Sequence, residues 1–326
     1  MDCAISVILP MYNRGATVLA TLDSVAAQTL RPRRLVVVDD GSSDDSAARV
    51  DKWLKKHAGR GTEGSLIRQP HRGAAAARNR GFASASDCSL VAFLDSDDCW
   101  PADFIERTSA AVLACPSAVG ATCDRELHCG ARCGPVLQDL TSFSAKPIEW
   151  MFCHGAALAS ATLFRAEAIV RRGGFDETLS TGEDTALFLR LCLDGPWLHV
   201  PGRPVAFDRT LAPGGSVEGN LSHKYRDNYR RWARIYEDFI MNGSGAQAIA
   251  PRIYRRLLGH VWYRAGRELA RGGSPIEARQ CYRAALAWSP WGYKSWQRLA
   301  QTYLTGPRVR SFEAQPASST VSALAG

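Results

Sequence analysis

Residues 90–100 read Leu-Val-Ala-Phe-Leu-Asp-Ser-Asp-Asp-Cys-Trp, five apolar residues followed at once by three carboxylates in four positions. A continuous apolar run of that length predicts a strand buried on both faces of a parallel sheet. Open α/β sheets bind ligands at the carboxyl ends of their strands, so Asp95, Asp97 and Asp98 stand where a site is expected. In an extended strand end Asp95 and Asp97 project to the same side. Such a like-charged pair is relieved by a divalent cation shared with a phosphate. The same residues would also make a solvated acidic turn capping the next helix, with Pro101 at its first position.

The pattern recurs upstream. Residues 5–10 (Ile-Ser-Val-Ile-Leu-Pro) form a short apolar run that proline interrupts, followed by the turn Met11-Tyr12-Asn13-Arg14-Gly15. Leu19, Leu22, Val25 and Ala26 then recur at helical spacing until Pro32. The apolar residues 35–38 discharge into Asp39-Asp40-Gly41-Ser42-Ser43-Asp44-Asp45. Strand, helix and strand with a crossover of this length is the βαβ unit of a parallel sheet. The next helix is expected over residues 46–56, and it leads into Gly59-Arg60-Gly61-Thr62-Glu63-Gly64. That string matches GxGxxG letter for letter, but it follows a helix and precedes a strand. A dinucleotide cradle requires the reverse context, so these residues are read as a loop. Three strand ends carrying polar turns favour a nucleotide-phosphate site over three unrelated acidic caps.

Taken together, Ser6-Val7-Ile8-Leu9-Pro10-Met11-Tyr12-Asn13, Val36-Val37-Val38-Asp39-Asp40-Gly41-Ser42-Ser43-Asp44, Ala76-Ala77-Arg78-Asn79-Arg80-Gly81 and Phe93-Leu94-Asp95-Ser96-Asp97-Asp98 resemble the family 2 glycosyltransferases of the GT-A fold. Gly173-Gly174-Phe175-Asp176-Glu177 and Gly182-Glu183-Asp184-Thr185-Ala186-Leu187-Phe188-Leu189-Arg190 are similar to that family's acceptor-side motifs. The resemblance covers roughly residues 4–215. It implies an α/β, Rossmann-like, mostly parallel sheet and transfer of a sugar from a nucleoside diphosphate, UDP favoured, to a glycan or lipid-linked hydroxyl. The leaving diphosphate implies Mg²⁺ or Mn²⁺. The matching positions imply nucleotide-sugar contacts at Pro10, Tyr12, Asn13, Asp40, Arg78, Asp95 and Ser96. Within that set Tyr12 stacks near the base, Asp40 accepts a hydrogen bond from it and Asp95 holds the ribose. Asp97 would ligate the metal, and Asp184 would be the base of an inverting displacement. For Arg78 the alternative reading is a solvated helix face. Read alone, Glu183-Asp184 suits a helix start favoured by the macrodipole better than a base.

The chain is expected to divide into a catalytic domain over residues 1–223, a helical unit over 224–310 and a disordered Ala/Ser-rich tail over 311–326. Residues 124–150 are punctuated by Gly and Pro and, with residues 150–161, are expected to shape the acceptor pocket. Residues 209–222 are glycine-rich and read as a mobile cover, with His223 either an extra metal ligand or a surface histidine. The ten cysteines are scattered, which suits reduced thiols. Cys123, His128, Cys129 and Cys133 form the one cluster to weigh as zinc ligands, although the spacing lacks a CxxC pair. No run approaches the roughly 18 apolar residues that cross a bilayer. The expected location is cytoplasmic, at most peripheral to the inner face of the membrane.

Residues 224–310 hold 17 Lys/Arg against 5 Asp/Glu, a net +12, whereas residues 1–223 carry 23 against 26, a net −3. Trp262, Gly266, Leu269, Ala278, Tyr282, Ala285 and Pro290 fall at the spacings of one tetratricopeptide repeat. Trp296, Leu299, Ala300 and Tyr303 restart the first half of another. A lone repeat cannot bury its own faces, so the unit is expected to pack on the catalytic domain or a partner chain. Its basic helices interleaved with Trp232, Trp262, Trp288, Trp291 and Trp296 fit an anionic lipid surface or a protein partner better than nucleic acid, because no groove-reading motif is present. The tryptophans would alternatively be core anchors. Rival readings are a polyprenyl-phosphate sugar transferase at the membrane surface and a catalytically idle scaffold for the helical module. A sugar nucleotidyltransferase is disfavoured because residues 11–16 lack a glycine- and basic-rich triphosphate loop.

Overall fold

The structure is a computed structural model, and it describes residues 4–85, 87–128, 136–138, 140–154, 159–208 and 228–304. Four parallel strands form the N-terminal half of the sheet: β1 (Ile5–Met11), β2 (Arg34–Asp39), β3 (Glu63–Arg68) and β4 (Leu90–Phe93). They lie in the order β3-β2-β1-β4. Helices α1 (Val18–Ala26), α2 (Ser46–His57) and α3 (Ala74–Ala83) make the crossovers. In the far half the direction alternates. β8 (Thr162–Arg165) runs antiparallel to β4, and β6 (Gly120–His128) runs antiparallel to β8. β9 (Trp197–Asp208) lies parallel to β6, and the two-residue β5 (Asp98–Cys99) closes the edge against β9. β7 (Val136–Gln138) pairs β6 off this path.

Residues 5–11 and 35–39 are buried throughout, as expected of strands covered on both faces. Pro10 does not end its strand. Pairing of β1 with β4 stops at Ile8↔Phe93, whereas pairing with β2 continues through Pro10↔Val38 to Met11↔Asp39. Beyond Ile8, β1 therefore has one ladder partner, and a residue without an N–H is tolerated there. Pro101 is likewise not the first residue of a helix. Asp98 and Cys99 enter the ladder with β9, and α4 (Phe104–Ala114) starts after Asp103. Gly59 and Gly61 have positive φ of 75° and 92° and Gly64 lies in β3, which agrees with a loop rather than a cradle.

Helix α3 lies against the sheet because its face is built from small residues. A Cβ on Gly81 would meet Ile8 Cγ2 at 2.5 Å and Val38 Cγ2 at 3.0 Å. The close seat buries Arg78 with Ala75, Ala76 and Ala77. On the same face, α7 (Glu183–Leu191) is anchored by Phe188, whose ring lies 5.0 Å from Phe164 and 5.4 Å from Trp197. Trp150 of α5 (Pro147–His154) and α6 (Ala166–Arg171) join this core.

Five helices follow: α8 (Asn228–Met241), α9 (Gly245–Ala248), α10 (Pro251–Arg271), α11 (Pro275–Trp288) and α12 (Tyr293–Leu304). α8 is bound to the sheet domain, with Tyr236 Oη donating to Met151 O at 2.9 Å and Phe152 stacked 4.4 Å from Tyr236. α10 and α11 pack through the positions that the repeat spacing singled out. Trp262, Leu269, Ala278, Tyr282 and Ala285 are buried, and a Cβ on Gly266 would meet Tyr282 Cε1 at 2.6 Å. Among the described residues no helix is long and apolar enough to cross a membrane.

Candidate active site

The loop after β1 is knitted to the loop after β2. Asn13 adopts a left-handed φ of 51°, donates its N–H to Ser42 Oγ at 2.9 Å and accepts the Ser43 N–H on Oδ1 at 2.8 Å. Gly15 N–H reaches Asp44 Oδ2 at 3.0 Å. Beside them Tyr12 is 42% exposed and stacks on His71, with ring centroids 4.1 Å apart. Asp40 is buried. Its Oδ1 accepts Gln69 Nε2 at 2.7 Å and Arg72 N–H at 2.8 Å, while its Oδ2 accepts Gly73 N–H at 2.8 Å and faces His71 Nδ1 at 2.8 Å. Four donors saturate the carboxylate, so Asp40 shapes residues 69–73 and holds His71 under Tyr12. Pro10 is buried within β1 beneath this floor.

Asp95 and Asp97 do not extend the strand side by side. The chain turns there, closed by Asp98 N–H to Asp95 O at 3.1 Å, and Ser160 Oγ accepts the Asp95 N–H at 3.0 Å. Ser96 is buried, and its carbonyl accepts Thr17 Oγ1–H at 2.9 Å. The alternation rule fails because it applies only while the backbone stays extended. The turn aims the two carboxylates at different cations: Asp95 Oδ1 at Arg78 Nη2 (2.7 Å) and Asp97 Oδ2 at Arg14 Nη2 (3.5 Å). Asp98 is buried.

Arg78 is not on a solvated face. Its second nitrogen, Nη1, pairs with Glu183 Oε1 at 2.6 Å, and the guanidinium lies 5.3 Å over the Phe175 ring. Burial opposes its charge, but Asp95 and Glu183 more than offset that, so its pKa stands above the ordinary arginine value. The neighbouring Asn79 clamps residues 173–177. Its Nδ2 donates to Phe175 O at 2.8 Å and to Glu177 Oε1 at 3.0 Å, and its Oδ1 accepts Phe175 N–H at 2.9 Å. A Cβ on Gly174 (φ 74°) would meet that Oδ1 at 2.7 Å, which explains the glycine. Asp184 follows Glu183 in the first turn of α7 and accepts the Thr185 N–H at 2.6 Å. Burial and then the Glu183 carboxylate raise its pKa to about 6, while Arg78 pulls the other way. Arg78→Met strips Glu183 of this partner and should cost about 3 kcal/mol, the low end for a broken buried pair because Asp95 stays half-exposed. Chemical denaturation of the two proteins measures the difference.

The arrangement thus brings together Tyr12, Asn13, Asp40, Arg78, Asp95, Ser96, Asp97 and Asp184. It also adds three residues to which the sequence analysis gave no role, Arg14, His71 and Ser160, and it pairs Glu183 with Arg78. His71-Arg72-Gly73, polar residues between a strand and a helix, was the signal in the chain that could have pointed to His71. As a metal seat, Asp97 offers a half-exposed carboxylate with a cation already facing it. Among the described residues no three His, Cys, Asp or Glu side chains converge as a closed cage. This hard-oxygen set fits Mg²⁺ or Mn²⁺, which take one or two carboxylates and fill the remaining positions from phosphate and water. Of the cysteine cluster, Cys123 is buried and its thiol is pushed up to about 12. Cys129, Cys133, the His128 side chain, residues 209–222 and His223 lie outside the described residues.

Residues 6–166 match the model of Glycosyl transferase family 2. These residues are a family 2 glycosyltransferase domain. An Escherichia coli UDP-Glc:α-D-GlcNAc-diphosphoundecaprenol β-1,3-glucosyltransferase is 36% identical over 116 residues, 34% of this chain and 42% of that protein. The chain thus matches less than half the length of that relative. Two solved structures share the fold of the family 2 domain, which is of the GT-A type, together with the helices that follow. Staphylococcus aureus TarS residues 1–349 with UDP-GlcNAc gives a TM-score of 0.67 at 17% identity, covering 92% of this chain and 89% of that one. A Pyrobaculum calidifontis mannosyltransferase with GDP-Man and Mn²⁺ gives 0.57 at 20% identity, covering 92% and 86%.

Proposed function

We propose that this chain transfers a sugar from a nucleoside-diphosphate sugar, UDP-linked in preference, to the hydroxyl of a glycan or lipid-linked acceptor, with inversion at the anomeric carbon. The observation that supports it most is the Arg78 guanidinium, paired with Asp95 at the strand end and with Glu183 beside Asp184. One buried cation thereby joins the donor half of the site to the acceptor half. The Tyr12–His71 stack presents an exposed aromatic face to a base. Asp95, with one oxygen on Arg78 and the rest half-exposed, receives the ribose hydroxyls. Asp97 would hold the divalent cation, which supplies charge neutralisation to the departing diphosphate.

Asp184 takes the acceptor O–H proton. The acceptor oxygen bonds to the anomeric carbon as the carbon–oxygen bond to the diphosphate breaks, and the nucleoside diphosphate leaves with that electron pair. A base with pKa near 6 is ionised at neutral pH yet basic enough to assist. The lipid-linked acceptor of the E. coli relative is the reason to keep that class beside free glycans. Thermal-shift titration with UDP-, GDP- and dTDP-sugars in Mn²⁺ tests the donor half. Saturable stabilisation by a UDP-sugar is expected, and no response to any of them would contradict the reading.

A further inference from the structure

The structure divides the five tryptophans of the C-terminal helices into two groups. Trp262 is buried, and Trp232 and Trp288 are half-buried, packed against the core. Trp291 is 94% exposed and Trp296 57%, and between them stands Tyr293 at 70%. These three belong to the turn before α12 and to its first residues, outside the repeat core. Trp296 is fixed by its indole N–H donating to Pro290 O at 2.9 Å, so the aromatic group has a defined shape.

The helices on either side of this turn are strongly basic. Residues 251–304 contain ten Lys/Arg against two Glu, a net +8, and Glu277 is already paired with Arg230. α10 crosses beneath the turn, since a Cβ on its Gly259 would meet Ser289 Cβ at 2.7 Å. Lys294 Nζ lies 5.8 Å from the Tyr293 ring centroid, and on α10 Arg264 stacks 4.3 Å over the Tyr229 ring and Arg267 lies 5.8 Å over the Tyr263 ring. Together with burial these three cations hold the His260 imidazole below its ordinary pKa. Opposite charge is therefore scarce at this surface.

We infer that Trp291, Tyr293 and Trp296 with Lys294, Arg264 and Arg267 form a docking face for an anionic lipid surface. Indole and phenol rings favour the headgroup zone, where an apolar body and a polar edge are both satisfied. Each basic residue near an anionic leaflet adds attraction that salt screens within about a Debye length. An aromatic side chain standing almost wholly in solvent fits a deformable interface better than a rigid protein pocket. The face holds the protein on the membrane without any helix entering it, and it is independent of how the sheet domain uses its donor.

Flotation of the full chain with two vesicle types tests the assignment: phosphatidylcholine alone, and phosphatidylcholine mixed with phosphatidylglycerol. Neither contains a polyprenol, so the acceptor site contributes nothing. Binding to the mixed vesicles at low salt, with loss at physiological salt, is expected. Lys294→Ala and Arg264→Ala should each lower partitioning about fivefold, the ratio that corresponds to about 1 kcal/mol per basic residue. Trp291→Ser with Trp296→Ser should lower it further while donor binding and melting temperature stay at wild-type values. Equal binding to both vesicle types, or wild-type partitioning of the tryptophan double variant, would overturn the assignment. Retention on a soluble sulfated polysaccharide without vesicle binding would also overturn it, in favour of an anionic polymer. A failed donor titration would leave this result untouched, so the two readings fail separately.

Discussion

Asp184→Asn is expected to reduce sugar transfer by about 10²-fold or more, the scale of general-base removal. Donor affinity should stay within about twofold, because the loss falls on the transition state and not on ground-state nucleotide contacts. Collapse of nucleotide affinity would instead make Asp184 a donor ligand and turn attention to Glu183 or Asp176 as the base. In the wild type, kcat/KM should fall as pH drops through about 6, where burial and Glu183 bring Asp184 to its protonated form. Arg78→Met removes the one cation that opposes that shift and should move the acid limb to higher pH. The stability sign runs against activity. A carboxyl whose folded pKa is raised above its unfolded value stabilises the fold below the unfolded value and loses that contribution as pH rises through the folded one. Near neutral pH the charged Asp184 is therefore a cost, and Asp184→Asn should melt at or above the wild-type temperature. Circular dichroism melts at pH 7 check this and exclude unfolding as the cause of lost activity.

Chelation is the second large effect. EDTA should abolish transfer, Mn²⁺ or Mg²⁺ should restore it, and Asp97→Ala should remain folded but fail to respond to added metal. The Asp97 carboxylate, part-exposed with its partner Arg14 Nη2 at 3.5 Å, is the basis. The salt bridge would have to open for a metal to seat, so Arg14→Ala should increase metal affinity while weakening the positive field at the diphosphate. Full turnover of the wild type in metal-free buffer would remove the cation from the reading altogether.

Strands covered on both faces were legible because such strands are written as unbroken apolar runs, and Val36-Val37-Val38 and Leu90-Val91-Ala92-Phe93 each ended in acid where the sheet ends. The start of α7 at Glu183 was legible for the same local reason, a left-handed glycine followed by two acids and an apolar helix. What lay beyond local pattern was pairing at a distance. Arg78 sits in an alanine-rich helix that reads as solvated, and only the close approach of α3 to the sheet, allowed by Gly81, turns it inward onto two carboxylates 17 and 105 residues away. The turn at Asp95 is held by Ser160, 65 residues on, so no rule of alternation within the strand could reveal it. The tryptophans could not be sorted either, since core anchor and surface aromatic have the same spacing until the partner helix is in place.

The most direct test of the whole site is release of nucleoside diphosphate from UDP-sugars, followed in the presence of Mn²⁺ with the full chain and with Asp97→Ala, each verified as folded. The account predicts release by the wild type above the enzyme-free rate and none above it by the variant. Equal release by the two proteins, or none by the wild type from any nucleotide sugar, would contradict it.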